Sequence, residues 1–200
     1  TVVDAGDGDE EFGMLLTQLS GTVRIEDAVI DRPEEGAIRL YNTAGTLEMT
    51  VLRTTISNND PVSGFGEDGF QLELEGSAVA RVLVDDSDLT LLRRDGVDAL
   101  VKGVGGASLD LTVRNSTFSQ NAGFGGVIVV AQNAAVARTT LSGNLFENTV
   151  STPITLTSIG SSTFDAAVPD GAGIPIEERS EDEVHYQTGP DDEGTMRRIR

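Results

Sequence analysis

The chain has 200 residues, which is enough for one domain with a sizeable core. Its 33 Asp and Glu residues outweigh 14 Lys and Arg residues, and the formal net charge is −19 at pH 7. Such a field repels nucleic acid and anionic membrane surfaces, so we expect neither as a partner. The sequence contains no cysteine, which excludes a disulfide framework, a thioredoxin motif and a cysteine-ligated zinc site.

The sequence contains no run of about 18 apolar residues, so no helix is expected to insert into a membrane. The acidic surplus is accompanied by a single lysine, Lys102. That pattern is typical either of salt-adapted organisms or of acidic secreted proteins from GC-rich genomes. Because the sequence opens at Thr1 with neither an initiator methionine nor a signal peptide, we interpret it as a mature form or an excised domain.

Residues 1–19 are expected to form an acidic segment followed by a cap. The stretch from Asp4 to Gly13 has carboxylates at alternate positions, as calcium loops do, but counting from Asp4 or Asp7 places no Gly at position six and no Glu at position twelve of an EF-hand loop. A mobile entry segment is therefore favoured there. The apolar residues from Phe12 to Leu19 predict either a short capping helix or a zeroth coil of the repeat that follows.

From residue 20 onward the chain repeats itself. Each copy has an apolar residue, four mostly polar residues, a second apolar residue, a polar or Gly-rich stretch and a further apolar run. The second apolar residues are separated by 26, 33, 29 and 28 positions. Apolar and polar residues alternate with period two, as in the stretch from Leu109 to Val113, which predicts strands with one buried face.

Aligning the copies places like residues over like residues in three columns. These columns are Ile25, Val51, Val84, Val113 and Leu141; Val23, Met49, Val82, Leu111 and Thr139; and Ile30, Ile56, Leu89, Phe118 and Phe146. A single coil cannot bury its inner face, whereas stacked neighbours can. The columns therefore predict a solenoid.

The predicted fold is all-β: a right-handed parallel β-helix of about five coils over residues 20–168, with three short strands per coil. An antiparallel sandwich or jelly roll is the main alternative, since it also uses short alternating strands. It would predict hairpin turns every 8–12 residues and would not explain columns at a nearly constant spacing of about 28 residues.

The best-formed copy carries two short motifs. Phe118-Ser-Gln-Asn121 and Gly125-Gly-Val-Ile128 are similar to the paired FxxN and GG(A/V/L)(I/V/L) motifs of polymorphic outer membrane proteins. The repeats over about residues 20–162 resemble those of the right-handed parallel β-helix, or pectate-lyase-like, superfamily, although the other copies match loosely. The resemblance implies the fold but no single function, because the superfamily includes lyases, hydrolases, adhesins and phage fibres.

The longest interruption of the repeat runs from Asn58 to Gly69. Insertions in a solenoid project from one edge, where binding often occurs. Asp60, Glu67 and Asp68 are oxygen donors of the kind that Ca²⁺ prefers, so they are candidate metal ligands. The alternative is a solvated loop rich in Gly and Pro.

The densest acidic cluster lies at a predicted bend, where Asp85, Asp86 and Asp88 are candidate metal ligands. The resemblance to β-helix pectinases implies that carboxylates on neighbouring coils bind Ca²⁺ or act as an acid and base pair. The equivalent positions of the adjacent copies hold Arg53 and Arg114, which favour ion pairs between coils instead. The aligned copies show no paired carboxylates on adjacent coils, which disfavours catalysis.

Residues 169–200 predict an irregular acidic tail or linker, in which the single histidine, His185, has no marked catalytic partner. Asn59 and Asn121 occupy aligned positions after the third apolar column, but Leu92 interrupts that alignment. An unbroken asparagine ladder is therefore not expected, and turn chemistry is the favoured role.

The function expected from the sequence is structural display or adhesion by a non-enzymatic module of a secreted or cell-surface protein. Its partners would be carbohydrate or other cell-surface components, with weak glycan or calcium binding and no organic cofactor. Two alternatives stay open: a self-assembling extracellular fibre subunit that associates head to tail, and a polysaccharide lyase or hydrolase.

Overall fold

The computed structural model of the chain describes residues 1–3, 11–33, 35–58, 68–121, 125–147, 153–168, 176–180 and 184–187. These residues contain strands and no helix, and no helix long and apolar enough to cross a membrane was found among them. The strands are β1 (Val2–Val3), β2 (Phe12–Thr17), β3 (Gly21–Glu26), β4 (Val29–Asp31), β5 (Gly36–Asn42), β6 (Thr46–Leu52), β7 (Thr55–Ser57), β8 (Asp68–Leu74), β9 (Val79–Asp85), β10 (Asp88–Thr90), β11 (Val97–Lys102), β12 (Ser108–Arg114), β13 (Thr117–Ser119), β14 (Val127–Gln132), β15 (Val136–Ser142), β16 (Leu145–Glu147), β17 (Ile154–Ile159), β18 (Thr163–Ala167), β19 (Ile176–Ser180) and β20 (Val184–Gln187).

The strands form three sheets in which each strand pairs in parallel with its equivalent in the next coil. Sheet A has the order β1-β4-β7-β10-β13-β16, sheet B has the order β19-β17-β14-β11-β8-β5-β2, and sheet C has the order β20-β18-β15-β12-β9-β6-β3. A coil consists of one strand from sheet B, one from sheet C and one from sheet A. Coils 1 to 5, which begin with β2, β5, β8, β11 and β14, have all three strands, and the chain is therefore a parallel β-solenoid.

The strand register confirms the three apolar columns. Ile25 pairs with Val51, which pairs with Val84, and the series continues through Val113 to Leu141. The column that begins at Val23 and the column that begins at Ile30 are in register in the same way. These side chains point into the solenoid, and most of them are fully buried. Burial of the apolar face of each coil by its neighbours is what stabilises a solenoid.

Aromatic packing is concentrated at sheet A. Phe118 and Phe146 stack with ring centroids 5.0 Å apart and ring planes at 12°. Each ring lies close to a glycine at the start of a sheet B strand, because a Cβ on Gly96 would approach Phe118 to 2.3 Å and one on Gly126 would approach Phe146 to 2.2 Å. The two glycines therefore provide the space that the rings fill.

Both ends of the repeat region contain strands. The N-terminal apolar stretch forms β2, which pairs with β5, so the alternative of a further coil is confirmed over that of a capping helix. At the other end, β19 and β20 lie within the range 169–200 that was expected to be irregular, and they pair with β17 and β18. Their polar sequence gives no strand signal, because a strand added to an existing sheet edge is held by backbone hydrogen bonds and needs no apolar alternation.

Candidate functional site

The bend between sheets C and A has the same backbone conformation in every coil. One residue at this bend has a positive φ in each of the five coils: Asp27, Arg53, Asp86, Asn115 and Gly143. A left-handed residue reverses the chain sharply, and Gly, Asn and Asp adopt it most readily. The predicted acidic cluster at Asp85, Asp86 and Asp88 lies at the coil 3 copy of this bend.

Asp85 is held by the coil above it. Arg114 Nη2 donates to Asp85 Oδ2 at 2.7 Å, and Asn115 Nδ2 donates to Asp85 Oδ1 at 3.0 Å. The hydrogen bond from Arg114 lowers the pKa of Asp85, burial raises it, and the hydrogen bond from Asn115 lowers it. The net shift is downward because the hydrogen bonds outweigh burial. The side chains of Asp86 and Asp88 belong to exposed residues. The expected ion pair between coils is thus formed by Asp85 and Arg114.

Arg53 was expected to pair with the same cluster, and this expectation is wrong. Its guanidinium points to coil 1, where Nε donates to Asp27 Oδ1 at 2.7 Å and Nη2 donates to Glu26. Glu26 also accepts from Arg24, and these two arginines lower its pKa to about 2. Two acidic residues on coil 1 outcompete Asp85, whose oxygens Arg114 and Asn115 already occupy.

A ladder of buried polar groups runs along the inside of this bend. Thr54 N donates to Ser87 Oγ at 3.1 Å, Ser87 N donates to Ser116 Oγ at 3.2 Å, and Ser116 N donates to Asn144 Oδ1 at 3.0 Å. The two serine hydroxyls donate in turn to the carbonyls of Asp85 and Arg114. Coils 3 to 5 therefore each satisfy a backbone N–H of the coil below, as buried backbone groups require.

The bend between sheets A and B contains a second stack of acidic groups, and both members are fully buried. Asp68 Oδ1 accepts from Asp95 N at 3.0 Å, and Asp95 Oδ1 accepts from Gly125 N at 2.8 Å. Asp68 Oδ2 accepts from Gln71 Nε2 at 2.6 Å and lies 3.5 Å from Arg94 Nη1. The statement that no carboxylates pair on adjacent copies is therefore wrong at this bend, although burial keeps these two from any substrate.

Asp95 and Asp98 have unusual titration behaviour. Burial, reinforced by the charge of Asp68, raises the pKa of Asp95 to about 7 and that of Asp98 to about 6. Asp95 Oδ2 is buried and has no hydrogen-bond partner among the described residues. The carboxyl of Asp95 thus holds its proton to a higher pH than an exposed aspartate does.

The predicted metal ligands are only partly brought together. Asp60 and Glu67, and likewise Asn59, lie outside the described residues. Asp68 lies at the A-to-B bend and Asp85 at the C-to-A bend, so the structure does not bring these two together. Asp68 is fully buried, and its two oxygens already accept from Asp95 N and Gln71 Nε2 and are not available to a cation. Among the described residues, no group of three or more His, Asp or Glu side chains is arranged to hold a metal ion. Asn121 was expected to serve turn chemistry, but its side chain bonds the neighbouring coil: Oδ1 accepts from Leu92 N and Nδ2 donates to Leu89 O.

Asp95 and Asp98 were missed by sequence reasoning, although a signal for Asp95 was present. Asp68-Gly69-Phe70 and Asp95-Gly96-Val97 repeat an Asp-Gly pair directly before an apolar strand residue. The pairing of Phe70 with Val97 stacks the two aspartates. An alignment of the copies on sheet B, as well as on sheets A and C, would have predicted the stacking of Asp68 and Asp95.

The outer face of sheet B carries a charged network that spans coils 2 to 4. Lys102 Nζ donates to Glu73 at 2.5 Å and to Glu75 at 2.8 Å. Arg39 Nη2 donates to Glu73 at 3.2 Å, and the Tyr41 hydroxyl donates to Glu75 at 3.1 Å. As at the C-to-A bend, the charged side chains of this face pair with groups on the adjacent coils.

Fold and site together define a parallel β-solenoid whose acidic side chains are stacked and paired from coil to coil. No family model matches the chain, and no solved structure matches it. A segment of 44 residues is 52% identical to a methylthioribose-1-phosphate isomerase from Sulfurimonas denitrificans. That match covers 22% of this chain and 12% of the isomerase's own length, which is too little to assign a family.

Proposed function

We propose that the chain is a non-enzymatic β-solenoid module of a secreted or cell-surface protein, which displays loops of variable length for adhesion. The observation that carries the proposal is the distribution of connection lengths. Every C-to-A bend has two residues between its strands: 27–28, 53–54, 86–87, 115–116 and 143–144. The A-to-B connections instead vary, and they comprise residues 32–35, 58–67, 91–96, 120–126 and 148–153.

The two kinds of connection have different physical roles. The constant C-to-A bend is tied into the hydroxyl ladder and the left-handed stack, so an insertion there would break hydrogen bonds between coils. An insertion at the A-to-B edge leaves the three sheets in register, and such edges are where solenoids place binding segments. A solenoid whose connections have constant length at one edge and variable length at another is suited to display.

The outer face of sheet C supports a rod with fixed register. Five charged residues of alternating sign pair in sequence along it: Glu48, Arg81, Asp110, Arg138 and Asp165. Arg81 lies 3.8 Å from Glu48, and Arg138 lies 3.5 Å from Asp165. Single exposed ion pairs contribute little to stability. Pairing of each strand with the next coil but one, however, would place like charges opposite each other.

Binding and stability distinguish display from a structural role of the loop. We would replace residues 59–67 with a short Gly-Ser linker and measure thermal unfolding together with binding to immobilised neutral glycans and to whole cells. Display predicts nearly unchanged unfolding and lost binding. Cleavage of a polysaccharide by the unmodified chain, or equal binding by the two proteins, would contradict the proposal.

Calcium binding at the acidic bend is a weaker part of the proposal, since a cation at Asp85 must displace Arg114. We therefore expect Ca²⁺ to raise the melting temperature only slightly. If the shift is several degrees, Asp88→Asn and the loop replacement distinguish the two sets of candidate ligands. The shift should disappear in the variant from which the true ligands were removed.

Head-to-tail self-association is a second candidate, favoured by the N-terminal coil. Its strands β2 and β3 are the last of their sheets among the described residues, and Leu15 is 59% exposed there. Unpaired strand edges with exposed apolar side chains favour strand addition. Sedimentation at rising concentration tests this: the unmodified chain would associate and Leu15→Lys would not, whereas monomer at every concentration would exclude it.

A further inference from the structure

The carboxyl group of Asp95 lies at a junction of three coils. Its own backbone N–H donates to Asp68 of coil 3 at 3.0 Å, and its Oδ1 accepts from Gly125 N, which precedes coil 5, at 2.8 Å. The residue is fully buried. Its second oxygen, Oδ2, has neither solvent contact nor a hydrogen-bond partner among the described residues.

Such an oxygen is costly when the carboxyl is ionised. A buried carboxylate oxygen without a donor loses its hydration and receives nothing in return, whereas a neutral acid carries a much smaller penalty. Asp68 Oδ2 avoids this cost, because Gln71 donates to it and Arg94 lies nearby. The two stacked aspartates therefore differ: Asp68 has the environment of a carboxylate and Asp95 that of a carboxylic acid.

The charged groups that face Asp95 reinforce this difference. Asp68 from β8 and Asp98 from β11 both disfavour a negative charge on Asp95, and Arg94 favours it. Asp98 is influenced in turn by Asp68, Arg94 and Glu73. Two acidic groups against one arginine leave the net field unfavourable to ionisation.

We propose that a proton bound by Asp95 stabilises the A-to-B bend of coils 3 to 5, and that loss of this proton destabilises the bend as pH rises through neutrality. Burial and Asp68 support this direction, since they raise the pKa of Asp95 to about 7. The unfolded chain releases the same proton near pH 4. Ionisation thus places two stacked negative charges in the wall of the solenoid, and the bend becomes a device that responds to pH.

The sign of the effect follows from proton linkage. Between about pH 4 and pH 7 the folded chain holds a proton on Asp95 that the unfolded chain has released, so the free energy of unfolding falls as pH rises. Above about pH 7 both states have lost it, and this contribution is constant. Asp98, whose pKa is raised to about 6, adds a contribution of the same sign.

Asp95→Asn tests the proposal because asparagine keeps the Oδ1 acceptor for Gly125 N and cannot ionise. We would measure melting temperatures of the full chain at about pH 5 and about pH 8. The variant is expected to melt close to the unmodified chain at pH 5 and several degrees above it at pH 8. Asp110→Asn, on the outer face of sheet C, is the matched control and should differ by the same amount at both values.

Two outcomes would overturn the proposal: a difference between Asp95→Asn and the unmodified chain that does not change with pH, or one that changes in the opposite direction. If Asp95→Asn fails to fold, the titration is read directly from the carboxyl ¹³C shift of Asp95 in the unmodified chain. A midpoint near pH 7 then supports the proposal, and a midpoint below about pH 5 excludes it.

Discussion

Arg114 of coil 4 donates a hydrogen bond from Nη2 to Asp85 Oδ2 of coil 3 at 2.7 Å, while its neighbour Asn115 occupies the other carboxylate oxygen. The Asp85 side chain is 13% exposed and that of Arg114 is 47% exposed. The pair therefore connects two coils at a bend that is largely shielded on the acidic side. Charge-assisted bonds of this kind are stronger than neutral ones.

Asp85→Asn should lower the free energy of unfolding by about 1–3 kcal/mol at pH 7, because a charged partner of Arg114 is lost. The pKa of Asp85 is lowered, so its contribution is present above about pH 4 and disappears as pH falls through the folded-state pKa. Urea unfolding should therefore show a gap between the two proteins at pH 7 that narrows near pH 2. Asp88→Asn, at an exposed position of the same cluster, should show a smaller gap; an Asp85 gap equal at both pH values would refute this account.

Gly126→Ala should destabilise the solenoid by about 1–3 kcal/mol, since its Cβ would lie 2.2 Å from Phe146 Cε1. The contact is with a side chain, so a smaller residue at position 146 should relieve it. In a Phe146→Leu background we therefore expect Gly126→Ala to cost much less. A double-mutant cycle by urea unfolding measures this coupling, and purely additive effects would show that the glycine is needed for another reason.

Ser116→Ala tests the buried ladder at the C-to-A bend. Its hydroxyl accepts from Ser87 N at 3.2 Å and donates to Arg114 O at 2.8 Å. Alanine leaves Ser87 N without this acceptor, and a buried unsatisfied donor costs about 1–3 kcal/mol. Ser77→Ala, at an exposed turn, is the control and should change stability by less than about 0.5 kcal/mol. Equal effects of the two substitutions in urea unfolding would argue against the ladder.

The inner face of the solenoid could be predicted from the sequence, whereas the buried hydrogen bonds at its bends could not. The column from Ile30 to Phe146 was found because apolar residues recur at a spacing that burial imposes. Thr54, Ser87 and Ser116 carry no such signal, because buried and solvated hydroxyl residues at a turn look alike in sequence. Only the structure shows that the hydroxyls of Ser87 and Ser116 accept from backbone N–H groups of the coil below, the first of which is Thr54 N.

Partner choice among charges was the other limit on sequence reasoning. Arg53 has acidic residues on both sides along the stack, and spacing alone does not distinguish them. The structure decides because Asp27 and Glu26 offer two carboxylates to Arg53, while Arg114 and Asn115 already hold Asp85. Asp95 was missed for a related reason: its raised pKa depends first on burial and then on the charge of Asp68 one coil below, and both become apparent only from the stacking of the coils.

Thr139 interrupts an apolar column, and its replacement should stabilise the protein. It is 2% exposed and continues the column that contains Val82 and Leu111, yet its Oγ1 has no hydrogen-bond partner among the described residues. Valine has nearly the same shape and removes the unsatisfied hydroxyl, so we expect Thr139→Val to raise the free energy of unfolding by about 1–2 kcal/mol.

The matched control is Thr140→Val on the same strand, at a position that alternates to the outer face. Thr140 is partly exposed, so loss of its hydroxyl should change stability by less than about 0.5 kcal/mol. Urea unfolding of the three proteins at pH 7 separates the cases. Stabilisation by Thr139→Val alone supports an unsatisfied core hydroxyl. Destabilisation by it would mean that the hydroxyl has a partner, such as an internal water, that the protein needs.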